Sequence, residues 1–290
     1  VFLAHNRNGA MESRLFVPPR DTTKEIWEGI RIGVEGAKSW PVSSTTSIEN
    51  LESEILQMIS QFDHVYTILG ISETMDNICK EVEAVSDPRP IIDPMRRIKS
   101  TKEIQYMQES ATIGALSHIL AMKNAAPGMG EWEIQSNVEG HFIKSKSTWS
   151  FPSIVGGGSN ATVLHYKNND CIVNDGDLVL VDAGCEVNGY ASDITRTWPI
   201  NGSFTEPQKE IYELVLKAEK AGIEACQVGS PWTKMHRVVS EVIAQGLIEL
   251  GVLECSLQEA LGDETKLDGP FRNFFMHGTG HFLGLDVHDV

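Results

Sequence analysis

Residues 177–197 read DLVLVDAGCEVNGYASDITRT. Asn188-Gly189 is the strongest short-range signal for a two-residue hairpin turn, because both central positions of that turn need left-handed backbone. A turn centred between them sets Asp182 opposite Thr195. Asp193 lies two residues from Thr195, so it shares a face with Asp182 as a diagonal neighbour, about 7 Å away at the backbone. Two carboxylates on an otherwise apolar sheet face repel each other and lose water, and a cation relieves both penalties. Carboxylate oxygens suit hard ions such as manganese or magnesium. The competing reading leaves one Asp in solvent at a strand end and the other capping a turn.

Working outward, residues 275–289 read FMHGTGHFLGLDVHD, with three of the nine histidines, His277, His281 and His288. Glycines at 278, 280 and 284 speak against a helix, so this is not a helical zinc-protease pair. It reads as a turn feeding a strand. Neutral imidazole ligates borderline metals and shuttles protons near pH 7. His165 follows a glycine-rich stretch, VGGGSNATVLHY, residues 155–166. Without a G-x-G-x-x-G pattern, that stretch reads as a loop bringing backbone close to a substrate, not as a nucleotide cradle.

The remainder supplies the frame. Arg14 to Val17 is strand-like and ends at Pro18-Pro19. Leu51, Ile55, Met58 and Ile59 have helical spacing, and residues 63–70 read as a buried strand. Ser86-Asp87-Pro88-Arg89-Pro90 reads as a linker, with a domain boundary near residue 94. Ser100 and Glu103 form a capping-box pattern. The helix it opens is expected to bury Ile104, Met107, Ala111, Ala115 and Ile119 and to stop at Pro127-Gly128. Two later helices start at Thr205 and at Ser230-Pro231, the second ending at Gly251. Helices and antiparallel strands in blocks give an α+β layout.

The 290 residues suit about two domains. Twenty-four basic against 40 acidic residues leave a net charge of −16, which argues against nucleic-acid partners and a polybasic membrane anchor. No apolar run approaches a membrane span. Five widely spaced cysteines without a C-x-x-C argue against a disulfide framework and for a reducing compartment. The chain opens on Val1 in an apolar run and closes on Val290 without a stop signal, so truncation is expected at both ends.

Three segments, VDAGCEVNGYASDITRTWPINGSFT (181–205), FFMHGTGHFLGLDVHDV (274–290) and GGGSNATVLHY (156–166), together resemble the aminopeptidase P family of pita-bread metallopeptidases. FVPPRD (16–21) and EIWEGIRIGVEGA (25–37) resemble that family's smaller domain. The wording is closer to bacterial than to mitochondrial members. The resemblance implies a pita-bread catalytic domain over 95–290 and a smaller α/β domain over 1–94, both incomplete. It implies two divalent metal ions, usually manganese, held by two Asp, one His and two Glu, with a hydroxide bridging the ions as nucleophile. Asp182, Asp193 and His281 match three of the five ligands. His165, His277 and His288 match histidines that position substrate and stabilise the reacting carbonyl. The two Glu fall beyond residue 290, so the chain as written is expected to bind metal poorly and be inactive.

The resemblance further implies peptide substrates with proline second, a dimer or tetramer, and a cytoplasmic location (mitochondrial if eukaryotic). A prolidase acting on dipeptides, a metal-free creatinase-type hydrolase and a non-enzymatic pita-bread binding module are the other readings. The retained Asp182, Asp193 and His281 weigh against the last two, and the small N-terminal domain weighs against methionine aminopeptidase.

Overall fold

The computed structural model describes residues 2–7, 10–59, 61–62, 64–80, 82–263 and 265–290, with only the backbone over 2–7 and at 10. Val1, which opens the apolar run, and Asp63, which opens the expected strand, lie outside them. The chain divides into two compact units, Val1–Asp93 and Pro94–Val290.

In the first unit, β1 (Phe2–Arg7) pairs antiparallel with β2 (Ala10–Val17). Pro18-Pro19 ends β2, and Asp21 caps α1 (Thr22–Glu28) by accepting from the Thr23 and Lys24 amides. α2 (Gly33–Ala37) leads to β3 (Ser44–Ser47), which joins β2 in parallel. α3 (Leu51–Ile59) buries Ile55 against Phe16 and Ile78.

The buried strand expected over 63–70 shrinks to β4 (Val65–Tyr66), with Tyr66 and Leu69 exposed. After α4 (Glu73–Cys79), β5 (Val85–Ser86) pairs with it, and among the described residues the two make a two-stranded sheet, too narrow to bury it. The expected linker is also corrected, because α5 (Arg89–Arg97) forms there despite its prolines. Pro90 falls in the first turn, where its missing N–H costs nothing.

In the second unit, α6 (Thr101–Asn124) opens on the Ser100–Glu103 capping box. Its buried stripe is not the one expected. Ser110, Gly114, Ser117, His118 and Ala121 face inward, while Ile104 and Ile119 are exposed. Small residues win because the helix lies close to the sheet: a Cβ on Gly114 would sit 3.0 Å from the Ile194 side chain. α7 (Glu131–Lys144) adds Ile134, Val138 and Phe142 to the same core.

β6 (Thr148–Trp149) is followed by β7 (Ile154–Gly157) and a 3₁₀ turn over Gly158–Thr162. β8 (Leu178–Ala183) then lies between β7 and β11 (Ile194–Pro199), antiparallel to both. Val179, Val181 and Ala183 are fully buried in the helix-covered core. By the two-residue period of a strand, Leu178, Leu180 and Asp182 take the opposite face.

Between these strands, β9 (Cys185–Val187) and β10 (Tyr190–Ala191) form the tip of the hairpin. α8 (Glu206–Ala225) starts on the Thr205–Gln208 capping box, and α9 (Trp232–Glu249) begins one residue after Pro231, slightly later than expected. The two helices build a second core from Leu214, Ala218, Val239, Ile243 and Leu247, with Ala260 of α10 (Leu257–Leu261). All five cysteines are unpaired. Among the described residues no helix is long and apolar enough to cross a membrane.

Candidate metal centre

The hairpin turns on Asn188 (φ 51°) and Gly189 (φ 85°), both left-handed as the turn requires. One register runs from Val187↔Tyr190 at the tip to Leu178↔Pro199 at the base, and it sets Asp182 opposite Thr195. On its other side Asp182 faces Ile154. The ladder pauses at Gly184 and Ser192, where the Ser192 amide donates to the Cys185 carbonyl at 2.8 Å and the Cys185 amide donates to Ser192 Oγ at 3.0 Å.

Asp182 and Asp193 come together as the pairing demands, lining one cavity and acting on each other electrostatically. The Asp182 carboxyl is pushed up to about 6, first by burial and then by the charge of Asp193. Its Oδ1 is buried without a hydrogen-bond partner. His281 faces the same pair, with Nε2 3.1 Å from Asp193 Oδ2. Its Nδ1 lies 2.8 Å from the Phe282 carbonyl, which can only accept, so Nδ1 carries a proton. Nε2 of His281 and the Asp193 carboxylate oxygen can share a proton or a cation between them. The orphaned Asp182 oxygen, the paired carboxylates and the imidazole nitrogen together fit a hard or borderline divalent cation.

His288 stacks on His281, with ring centroids 3.9 Å apart and planes within 8°. Asp182, Asp193, His165 and His288 line one cavity of about 190 Å³, with Lys167 beside them and Phe151, Pro152, Ile154 and Val287 as its apolar wall. Asp289 anchors the histidine segment. Its amide donates to the Phe282 carbonyl at 3.0 Å, and its buried carboxylate accepts from Lys99 Nζ at 2.9 Å and Arg96 Nη2 at 2.5 Å. Burial pushes that carboxyl up, but Lys99 and Arg96 outweigh it and leave it below its ordinary value.

His277 is not brought to the carboxylates. It packs edge-on against Phe275 at 4.7 Å and lines an apolar groove with Ile211, Val215 and Phe274. Lys167, two residues past His165, also lines the Asp182–Asp193 cavity, and a lone lysine in a polar loop carries no spacing signal that would mark it in the sequence.

A second group, Glu131, Asp170 and Cys171, has its ligand atoms within 4.8 Å of one another, and no other such trio among the described residues is as tight. It is nonetheless a poor cation site. Glu131 Oε1 accepts from the Gly157 amide at 2.8 Å and Asn160 Nδ2 at 3.0 Å, and Oε2 accepts from the Tyr166 hydroxyl at 2.9 Å and the Cys171 amide at 3.0 Å. Its lone pairs are already used. The Asp182 group is looser, yet it holds a buried carboxylate oxygen, Asp182 Oδ1, without a partner.

Asp182 also dictates a pH dependence. Its carboxyl binds a proton more tightly in the folded chain than in the unfolded one. That contribution to stability is present below about pH 4 and is lost as pH rises through about 6. Asp182→Asn is expected to stabilise the metal-free protein at pH 8 by roughly 2 kcal/mol and to change it little at pH 4. Thermal unfolding at both pH values measures this, and equal shifts at the two would contradict it.

A family model described as metallopeptidase family M24 matches residues 105–290, and one described as aminopeptidase P, N-terminal domain, matches residues 1–68. The Xaa-Pro aminopeptidase of Haemophilus influenzae is 42% identical over 282 residues, covering 95% of this chain and 64% of that protein. Its Escherichia coli counterpart is 35% identical over 295 residues, covering 96% and 66%. The chain thus spans just under two thirds of the length of these curated relatives. Among solved structures, proline aminopeptidase P II from Yersinia pestis superposes with a TM-score of 0.93 at 34% identity, covering all of this chain and 69% of that one. A zinc-substituted Escherichia coli aminopeptidase P in complex with product gives 0.91 at 34%, covering 98% and 67%.

Proposed function

The chain belongs to metallopeptidase family M24 and begins with an aminopeptidase P N-terminal domain, and from that premise we propose that it serves a metal-dependent aminopeptidase hydrolysing the bond between an N-terminal residue and a following proline. The observation that carries this reading is the Asp182–Asp193 pair with Nε2 of His281 3.1 Å from Asp193 Oδ2. In this proposal Asp182, Asp193 and His281 would be the residues of this chain that hold divalent ions, manganese by resemblance. Bound there, the ions supply Lewis-acid activation of water near neutral pH.

The chain's own residues do the rest. Asp182 gives up its proton on loading, so metal affinity rises as pH passes about 6. His165 and His288 flank the carboxylates in the cavity and donate N–H to the carbonyl oxygen as negative charge develops on it. The scissile bond before proline is a tertiary amide without an N–H, so it offers no donor for the protein to recognise. Phe151, Pro152 and Ile154 offer the ring an apolar wall instead. His277, outside that cavity, stays in this proposal by resemblance alone, as a substrate-positioning histidine. A dimer or tetramer belongs to the same reading by resemblance alone.

The test is a substrate panel on the full natural protein loaded with Mn²⁺. Xaa-Pro-Xaa tripeptides are expected to lose their first residue at least about 100-fold faster than Xaa-Ala-Xaa. Cleavage of Xaa-Pro dipeptides alone would favour a prolidase. No cleavage of any of them with metal bound would sink the enzyme reading and favour a binding module.

A further inference from the structure

Glu131 is the largest buried acid that the proposed chemistry leaves unused. It is fully buried at the first residue of α7, with no basic side chain among its hydrogen-bond partners. A buried carboxylate without a counter-charge is costly unless its lone pairs are filled. Here four donors fill them, and the start of a helix favours negative charge. The donors are not scattered. Gly157 closes β7, Asn160 sits in the 3₁₀ turn, Tyr166 directly follows His165, and Cys171 lies just beyond. Glu131 therefore grips the beginning, middle and end of the loop that delivers His165 to the Asp182–Asp193 cavity.

The loop's glycines serve the same fit. A Cβ on Gly157 would lie 2.6 Å from the Val173 side chain, and one on Gly156 would lie 2.9 Å from the Ala161 backbone nitrogen. Asn160 Nδ2 also donates to the Tyr166 hydroxyl at 3.1 Å, which cross-braces the loop. Asp170 Oδ1 lies 3.1 Å from the same hydroxyl, whose single proton sits nearer Glu131 Oε2 at 2.9 Å.

We propose that Glu131 is a positioning residue: its buried carboxylate clamps residues 157–166 through Gly157, Asn160 and Tyr166, and so fixes His165 at the carboxylate pair. The importance of that placement for catalysis rests on the reading given under Proposed function, whereas the clamp itself does not.

Glu131→Gln keeps the shape but puts an amide N–H against donors, and Tyr166→Phe removes one donor without touching Glu131. The first measurement is amide hydrogen exchange on the metal-free full-length protein. Faster exchange confined to residues 157–171, at least about tenfold in Glu131→Gln and smaller in Tyr166→Phe, is expected. The second is Xaa-Pro release by the Mn²⁺-loaded protein. Glu131→Gln is expected to lower kcat about 100-fold, the cost of a misplacement of about 1 Å, and to cost nothing further in a His165→Ala background. Unchanged loop exchange in both variants overturns the clamp. Equal losses with and without His165 overturn its action through that residue. If the unaltered protein releases nothing from Xaa-Pro peptides, the functional reading fails, and the exchange experiment still decides the clamp. Should Glu131→Gln not fold, Tyr166→Phe carries both measurements.

Discussion

Asp193→Ala in the full natural protein is expected to lower kcat/KM for Xaa-Pro peptides by more than about 100-fold, beyond the usual effect of losing a residue that only supports a ligand. Asp193 faces both Asp182 and the Nε2 of His281. Its removal takes away a proposed ligand and the carboxylate partner of His281 Nε2. It also removes the like charge that helps hold Asp182 up at about 6. Burial is the larger cause of that shift, so Asp182 should fall only part of the way toward its ordinary value. The variant should therefore lose metal and activity while keeping or gaining stability when metal-free. Activity and metal content both within twofold of the unaltered protein would show that the cation sits elsewhere.

Gly184→Ala should destabilise the protein by about 3 kcal/mol or more. A Cβ at Gly184 would lie 1.7 Å from the Ser192 carbonyl oxygen, which is backbone and cannot swing aside. The two strands would have to part between Asp182 and Asp193, so metal affinity should fall with stability. Gly140 in α7 is the contrast, since a Cβ there meets nothing within 4 Å. Gly140→Ala should be neutral or stabilising by up to about 1 kcal/mol. Urea unfolding of the two variants compares them directly. A Gly184→Ala midpoint indistinguishable from that of Gly140→Ala would refute the close approach.

The hairpin could be read from sequence because two strict local rules agree there. Asn-Gly fixes the turn, and the two-residue period then fixes which side chains share a face. Asp182 opposite Thr195 follows from those rules alone. The inner face of α6 could not be read the same way. Its buried residues are small and partly polar, chosen for close approach to the sheet, and hydrophobic periodicity is blind to that. His277 shares a glycine-rich segment with His281, yet the chain turns between them and sends His277 among Phe274 and Phe275. The Glu131 clamp joins residues 26 to 40 positions apart in sequence, and a single Glu at a helix start reads locally as an ordinary helix-end charge. Local chemistry was legible, whereas long-range hydrogen bonding depended on the fold.

The most direct measurement is anomalous diffraction at the manganese edge from crystals of the protein soaked in Mn²⁺. The expected result is an anomalous peak within coordination distance of Asp182, Asp193 and His281, absent in Asp193→Ala crystals soaked alike. A peak at Glu131, Asp170 and Cys171 instead, or one at the hairpin that survives Asp193→Ala at full height, would contradict the assignment of the carboxylate pair as the metal centre.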